Sequence, residues 1–452
     1  MKFAAGREIS PIPLFPKGGA RRNLKVAVIG AGYAGLAAAV ELARHGVPVT
    51  VFEAAKHLGG RARRVNYRGE VLDNGQHILL GAYHETLRLL RLTGAGERDL
   101  LRRPLHLEIP GRFRLSAPRL PSPLHLLFGL LLANGLSASE RLRAVRFMLA
   151  MRRQGFRLPR DTDAASFLLQ HGQAGNLRDC LWAPLCVAAL NTPLEAASAQ
   201  VFMNVLRDGL NGPRADSDLL LPLSDLTRLF PEKAAAYVQS AGGEIRLSSP
   251  VRAIRREQGG LVLEGSAGAP SPRFDRIVCA VPPRRLASLT DDLPELAAAA
   301  ALANRLTYQP IYTVFLRYPE QVRLPQPMLG MVGGLAQWVF DHGWLNRQAG
   351  LLCTVISAGG EHESLDHDRL ARRIHAELDA LFGGLPPPRW YKVIAEKRAT
   401  FSCTPGLERP EQATPLENFY LAGDYTAGEY PATLEGAVRS GVKCAQLILE
   451  KP

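Results

Sequence analysis

Gly30, Gly32 and Gly35 stand between an apolar run, LKVAVIG, and a stretch of helical spacing from Tyr33 to His45. Glycines at this spacing, between a strand and a helix, suit the binding of a pyrophosphate. The first permits the tight turn, the second lets the backbone approach the phosphates, and the third lets helix and strand pack closely. The N–H groups at the helix start, with Ala34 in the turn, then face the negative charge. Glu53 lies 23 positions after Gly30, where a carboxylate can accept from ribose hydroxyls. Gly60, Arg61 and Arg63 follow within GGRAR; an arginine beside glycines can reach a second phosphate or close over the cofactor. Read alone, that stretch is equally a loop with solvated arginines. Gly423 and Asp424 end a late apolar run, where a carboxylate can bond a ribityl hydroxyl; the plainer role for Asp424 is a turn or a helix cap. The segment YPATLEGAVRSG, with Thr433, opens a helix whose amino end can point at a flavin ring and draw charge from it. As a set these pieces point to FAD rather than NAD.

The elements that must hold them follow from the pattern. LKVAVIG reads as a buried parallel strand, Gly46 stops the first helix, and VPVTVFEA is the second strand, making a βαβ unit. LTRLFPEKAAAYVQSAGG reads as a helix ending in glycines, and EIRLSSPVRAIRREQGGLVLEG as strands with a Gly-Gly turn. FDRIVCAVPP and NFYLAGD are further short strands, and Thr433 to Glu450 has helical period. The expected fold is α/β: a glutathione-reductase-like, discontinuous Rossmann domain from 24–90, 220–290 and 406–452. An inserted α+β substrate domain takes 91–219 and 291–405, and residues 1–23 form a disordered leader.

Net charge is +13 over 452 residues, and the hydrophobic share of 46% allows a large core. The basic balance implies an anionic partner. The arginines are spread without a nucleic-acid module signature, so a membrane surface is favoured over nucleic acid. Six cysteines stand far apart with no C-x-x-C pair, which predicts reduced thiols, a cytoplasmic location and no metal site. No apolar run reaches the length of a membrane span.

GAGYAGL, GGRAR, the hairpin with Val251, AVPP at 280–283 and LAGD before TLEGAVRSG stand in the order seen in FAD-dependent amine oxidases and carotenoid desaturases, which this chain resembles. That resemblance implies that the Val251 backbone meets the adenine. LDNGQHILLGAY is similar to the corresponding segment of plant-type carotenoid desaturases. Amine oxidases usually carry a lysine near the flavin; the equivalent strand, YQPIYTVFLRY, has Pro310 and Ile311 there and no lysine. With WAPLCVAALNTPLEAASAQVFMNVLRDGL, the chain resembles the hydroxysqualene dehydroxylase family, also called squalene-associated FAD-dependent desaturases. The resemblance implies reductive removal of the hydroxyl of hydroxysqualene to give squalene. A carotenoid-type desaturase, an amine oxidase and a flavin-bearing lipid-presenting scaffold are the rival readings.

Such chemistry needs a proton donor for the leaving hydroxyl and a hydride from reduced flavin. His77 is the first candidate, with Asp73, Gln76, Tyr83 and Tyr430 beside it and Glu429 and Asp208 as further choices; a structural role for His77 is the plainer alternative. A protonated histidine or a raised-pKa acid would serve. No second dinucleotide motif is present, so electrons must come from a partner or from transient NAD(P)H. LPSPLHLLFGLLLANGL is strongly apolar, and RLRAVRFMLAMRRQGFRLPR after it holds seven arginines, with Leu142, Val145, Met148 and Leu149 at helical spacing. An apolar helix beside a basic one suits peripheral attachment to the inner face of the cytoplasmic membrane, and packed core beside a solvated helix is the alternative.

Overall fold

A computed structural model describes residues 24–257, 260–265 and 273–450; the expected leader and part of the Gly-Gly turn lie outside the described residues. Two five-stranded sheets position the site. The first is wholly parallel, in the order Glu244–Arg246, Val49–Phe52, Val26–Ile29, Arg276–Cys279, Phe419–Leu421. Its strands come from distant parts of the chain. Each is short, and the four inner and far strands are apolar and buried, as parallel sheets require, while the edge strand Glu244–Arg246 is polar and partly exposed.

Helix Tyr33–Arg44 packs on this sheet through Leu36 and Val40, which share a core with Val28 and Val51 and with Val438 and Val442 of the last helix, Leu434–Glu450. Fully burying each such side chain stabilises by roughly 1.5–3 kcal/mol. The two helices cross backbone to backbone: a Cβ on Gly441 would lie 2.1 Å from the Ala34 carbonyl oxygen. That crossing fixes the glycine turn against the helix that begins beside Thr433.

The second sheet is antiparallel, in the order Met328–Gly330, Trp338–Asp341, Leu351–Ser357, Tyr308–Arg317, Trp390–Phe401. Strand Tyr308–Arg317 alternates as a pleat must. Tyr312, Val314 and Leu316 pack with Leu370, Ile374 and Leu378 of helix His367–Phe382. Ile311 and Thr313 turn the other way, into a cavity between the two sheets.

Two readings of the chain need correction. The helix expected across LTRLFPEKAAAYVQSAGG is two, Leu226–Leu229 and Pro231–Ser240. Pro231 has no N–H to continue the first ladder and opens the second helix instead. The apolar stripe of helix Ala138–Arg153 also divides: Val145 and Met148 are buried, while Leu142 and Leu149 are 43% and 45% exposed.

Candidate active site and cofactor cradle

The glycine turn has the shape its spacing implies. Gly30, at φ +106°, donates to the Phe52 carbonyl at 2.7 Å, and a Cβ there would stand 2.6 Å from the Ala280 carbonyl oxygen. Gly32 precedes the helix without a side-chain cap, and a Cβ on it would meet only Gly60 Cα, at 3.9 Å. The first helical N–H groups have no intrahelical acceptor, so an anion above Gly32 can take them. Gly35 packs behind the turn, where a Cβ would lie 2.0 Å from the Gly30 carbonyl oxygen.

Around this turn opens a cavity of about 1140 Å³. Every residue expected to bind the cofactor borders it except Gly35: Gly30, Gly32, Ala34, Glu53, Gly60, Arg61, Arg63, Val251, Gly423, Asp424 and Thr433. Glu53 accepts from the Ala31 and Ala55 N–H groups, both at 2.8 Å, which aims its carboxylate while leaving lone pairs for ribose hydroxyls. Arg61 donates to Asp424 at 2.5 Å and to the Ala399 carbonyl at 2.6 Å. Each of these two was expected to meet the cofactor on its own; here each is the other's partner, bracing the GGRAR loop against the end of the last strand. The Asp424 carboxylate beside it raises the Arg61 pKa further. Thr433 Oγ1 accepts from the Gly436 N–H at 3.1 Å, so it caps the last helix, and Thr433, Leu434 and Ala437 turn that amino end to the cavity.

The turn with room for a pyrophosphate, the aimed acid and the helix end fit a dinucleotide with a planar ring. Two buried hydroxyls on the cavity wall, Tyr425 OH and Thr313 Oγ1, have no partner among the described residues. Neither was singled out from the sequence. Tyr425 follows Asp424 directly, which was a usable signal; Thr313 lies in a β-rich run, which was not.

Beyond the turn the wall becomes apolar, with Leu107, Leu126, Leu130, Trp182, Phe202 and Phe340 among its residues. Gln76, His77, Tyr83, Asp208 and Tyr430 border this half or its junction with the first. Asp73 does not border the cavity. Its Oδ1 accepts from the Leu226 N–H at 2.9 Å, and burial pushes its pKa up to about 8. It holds the start of helix Leu226–Leu229, which removes it from the candidate donors. Glu429 also lies off the cavity wall, paired with Arg207 at 2.8 Å.

His77 requires a different role from the one expected. Its Nδ1 lies 3.0 Å from the Gly75 carbonyl oxygen and must donate to it, leaving a lone pair on Nε2. Burial lowers its pKa, and the nearby Arg61 charge lowers it further. A neutral imidazole with its proton tied to Gly75 accepts a hydrogen bond; it is no imidazolium donor. Gln76 is held from behind: its Oε1 accepts from His342 Nε2 at 3.1 Å, and burial depresses the pKa of His342 to about 4.

Tyr430 carries a proton on the wall. Its OH donates to Asp208 Oδ2 at 2.7 Å, and the Asp208 carboxylate is also bound by Arg207 Nε at 2.6 Å. Burial and then the Asp208 hydrogen bond raise the Tyr430 pKa, so the phenol keeps its proton. The Arg439 guanidinium lies 4.4 Å from the ring centre.

Residues 33–449 match the family model described as flavin containing amine oxidoreductase. The hydroxysqualene dehydroxylase of Rhodopseudomonas palustris is 32% identical over 443 residues, covering 94% of this chain and 98% of that protein. A zeta-carotene desaturase of Solanum lycopersicum is 27% identical, covering 94% of this chain and 81% of its own length. Among solved structures, an oxidoreductase from Methanosarcina mazei superimposes with a TM-score of 0.74 at 16% identity, over 95% of this chain and all of that one. A flavin carried by a dinucleotide-binding frame is FAD. Since the family match runs from the first residue of the helix after the glycine turn to residue 449 in the last helix, and so takes in the second sheet and every strand of the first except Val26–Ile29, the chain belongs to the flavin containing amine oxidoreductases.

Proposed function

We propose that this enzyme reductively removes the hydroxyl group of hydroxysqualene to give squalene. The observation that carries the reading is the joining, in one cavity, of the glycine-turn cradle to a long wall of Leu, Phe and Trp side chains. A C30 polyisoprenoid needs such a wall: burying it is favourable by roughly 0.8 kcal/mol per CH₂. The 32% identity to a hydroxysqualene dehydroxylase across nearly the whole chain supports that substrate over a carotene. In this reading residues 24–90, 220–290 and 406–452 hold FAD, and 91–219 and 291–405 hold the lipid.

Reduced FAD, when bound, supplies a hydride to the carbon that loses oxygen. The chain has to supply the rest. Tyr430, on the cavity wall, turns its O–H from Asp208 to the departing hydroxyl and gives it the proton, so that the group leaves as water. Asp208 orients that phenol, and it is joined through Arg207 to Glu429, whose side chain is 61% exposed. The apolar wall keeps bulk water from the reduced centre. His77, neutral, accepts from the substrate rather than protonating it.

The lipid reaches the cavity from a membrane surface. Helix Leu124–Leu131 turns Leu126 and Leu130 to the cavity and exposes Leu124, Phe128 and Leu131, with Leu132 beyond them 67% exposed. Behind it Arg143, Arg146, Arg152 and Arg153 of helix Ala138–Arg153 are exposed, and none forms an ion pair among the described residues. An eight-residue helix reaches only about 12 Å, and no described helix is long and apolar enough to cross a bilayer. The fit is to lipid at the inner leaflet, with about 1 kcal/mol from each basic residue near an anionic surface. Phe128→Glu with Leu132→Glu is expected to weaken sedimentation with anionic vesicles by roughly tenfold or more. Unchanged binding would exclude this face.

The test of the reaction is anaerobic. Photoreduced enzyme mixed with hydroxysqualene should regain the oxidised flavin spectrum and yield a product lighter by one oxygen atom. A flavin that stays reduced refutes the proposal. If oxidised enzyme instead takes two hydrogens from a carotene, the desaturase reading replaces it.

A further inference from the structure

Thr313 is 1% exposed, lies on the cavity wall, and its Oγ1 has no hydrogen-bond partner among the described residues. A buried hydroxyl without a partner is unfavourable and uncommon. Its setting makes it stand out. Across the sheet Thr313 is level with Val355 on one side and Ile394 on the other, and both border the cavity beside it. Valine there would continue an apolar row. On the opposite face of the same sheet, Thr354 bonds the Val314 carbonyl at 3.4 Å, so a strand threonine can satisfy itself here. Thr313 does not.

The opposing group is His77. A Cβ built on Gly75 would lie 3.5 Å from His77 Cε1 and 4.0 Å from Thr313 Oγ1, so the imidazole and the hydroxyl flank one spot. With Nδ1–H given to Gly75, His77 offers only an acceptor, Nε2; Thr313 offers a donor without a partner among the described residues. We infer that Thr313 and His77 form a recognition subsite for the substrate's hydroxyl group, Thr313 Oγ1 donating to its oxygen and His77 Nε2 accepting its proton. This deepens the proposed dehydroxylation and rests on it.

An alcohol has one hydrogen and two lone pairs. The subsite engages the hydrogen and one lone pair, and leaves the other for the acid that expels the group. The site thus separates recognition from protonation, in keeping with a histidine that is neutral. It also gives a reason for selectivity. A hydroxyl-free polyisoprene fills the same apolar wall but leaves Thr313 and His77 unpaired, and a site built to pair a hydroxyl discriminates against the analogue lacking it.

The test compares two ligands on oxidised holoenzyme, where no turnover occurs: hydroxysqualene and its hydroxyl-free product squalene. Binding is read by perturbation of the flavin spectrum. Wild type is expected to bind hydroxysqualene more tightly than squalene. Thr313→Val, nearly equal in volume, should lose about tenfold of that preference, through hydroxysqualene alone. Thr313→Ser should restore it. FAD content and the free flavin spectrum should match wild type in both variants. An unchanged preference in Thr313→Val overturns the inference. So does equal weakening of both ligands with an altered flavin spectrum, which would assign the hydroxyl to the cofactor. If wild type itself neither prefers nor converts hydroxysqualene, the proposed function falls first and the subsite with it.

Discussion

Gly35→Ala is expected to emerge from purification depleted of FAD, with FAD affinity lowered by roughly 10- to 100-fold. The reason is geometric. The added methyl would sit 2.0 Å from the Gly30 carbonyl oxygen and 3.1 Å from the Ala280 side chain, and the first contact is with backbone that cannot swing aside. Overpacking of a tight site typically costs about 1–3 kcal/mol, and here relief requires helix Tyr33–Arg44 to move off strand Val26–Ile29. That movement carries the helix start away from the position where its N–H groups meet the pyrophosphate, so the strain is taken largely from cofactor binding. The ratio of flavin to protein absorbance measures it, and circular dichroism shows whether the helix content survives. A yellow, fully loaded Gly35→Ala protein would contradict the close packing described for this turn.

The same local logic explains why the cradle was legible in the chain. Strand, glycine turn, helix, second strand and acid follow one another within about 30 residues, the usual span of a βαβ unit, so short-range pattern specifies them. The later strands at Arg276–Cys279 and Phe419–Leu421 announce themselves as short apolar runs ending in proline or glycine. What failed to show was set by tertiary contact. Asp73 looks like a cleft acid beside Gln76 and His77, yet it is committed to the Leu226 N–H, 153 residues away. Arg61 and Asp424 were each read toward the cofactor, and their mutual ion pair spans 363 residues. The protonation of His77 depends on burial and on the Gly75 carbonyl, neither of which a residue type encodes. Thr313 was hidden because a β-branched residue in a strand needs no further explanation; only its missing partner marks it.

Tyr430→Phe is expected to lower kcat by roughly 10²- to 10⁴-fold, the usual range for losing a positioned general acid, with FAD content unchanged. The phenylalanine keeps the ring beneath the Arg439 guanidinium and removes only the hydroxyl that now donates to Asp208. Because the wild-type phenol is held protonated by burial, its proton is present throughout the neutral range, and activity should not fall there from its titration. Asp208→Asn separates acid from orienter. The amide can still meet the phenol, so Tyr430 keeps a partner, but it no longer offers Arg207 a carboxylate. That variant should therefore retain more activity than Tyr430→Phe. Single-turnover oxidation of photoreduced enzyme by hydroxysqualene isolates the step from substrate delivery and from re-reduction. If Tyr430→Phe reoxidises as fast as wild type, the proton comes from elsewhere on the wall. Tyr83 is then next in line: it borders the same cavity, and burial and the neighbouring Glu435 likewise keep its phenol protonated.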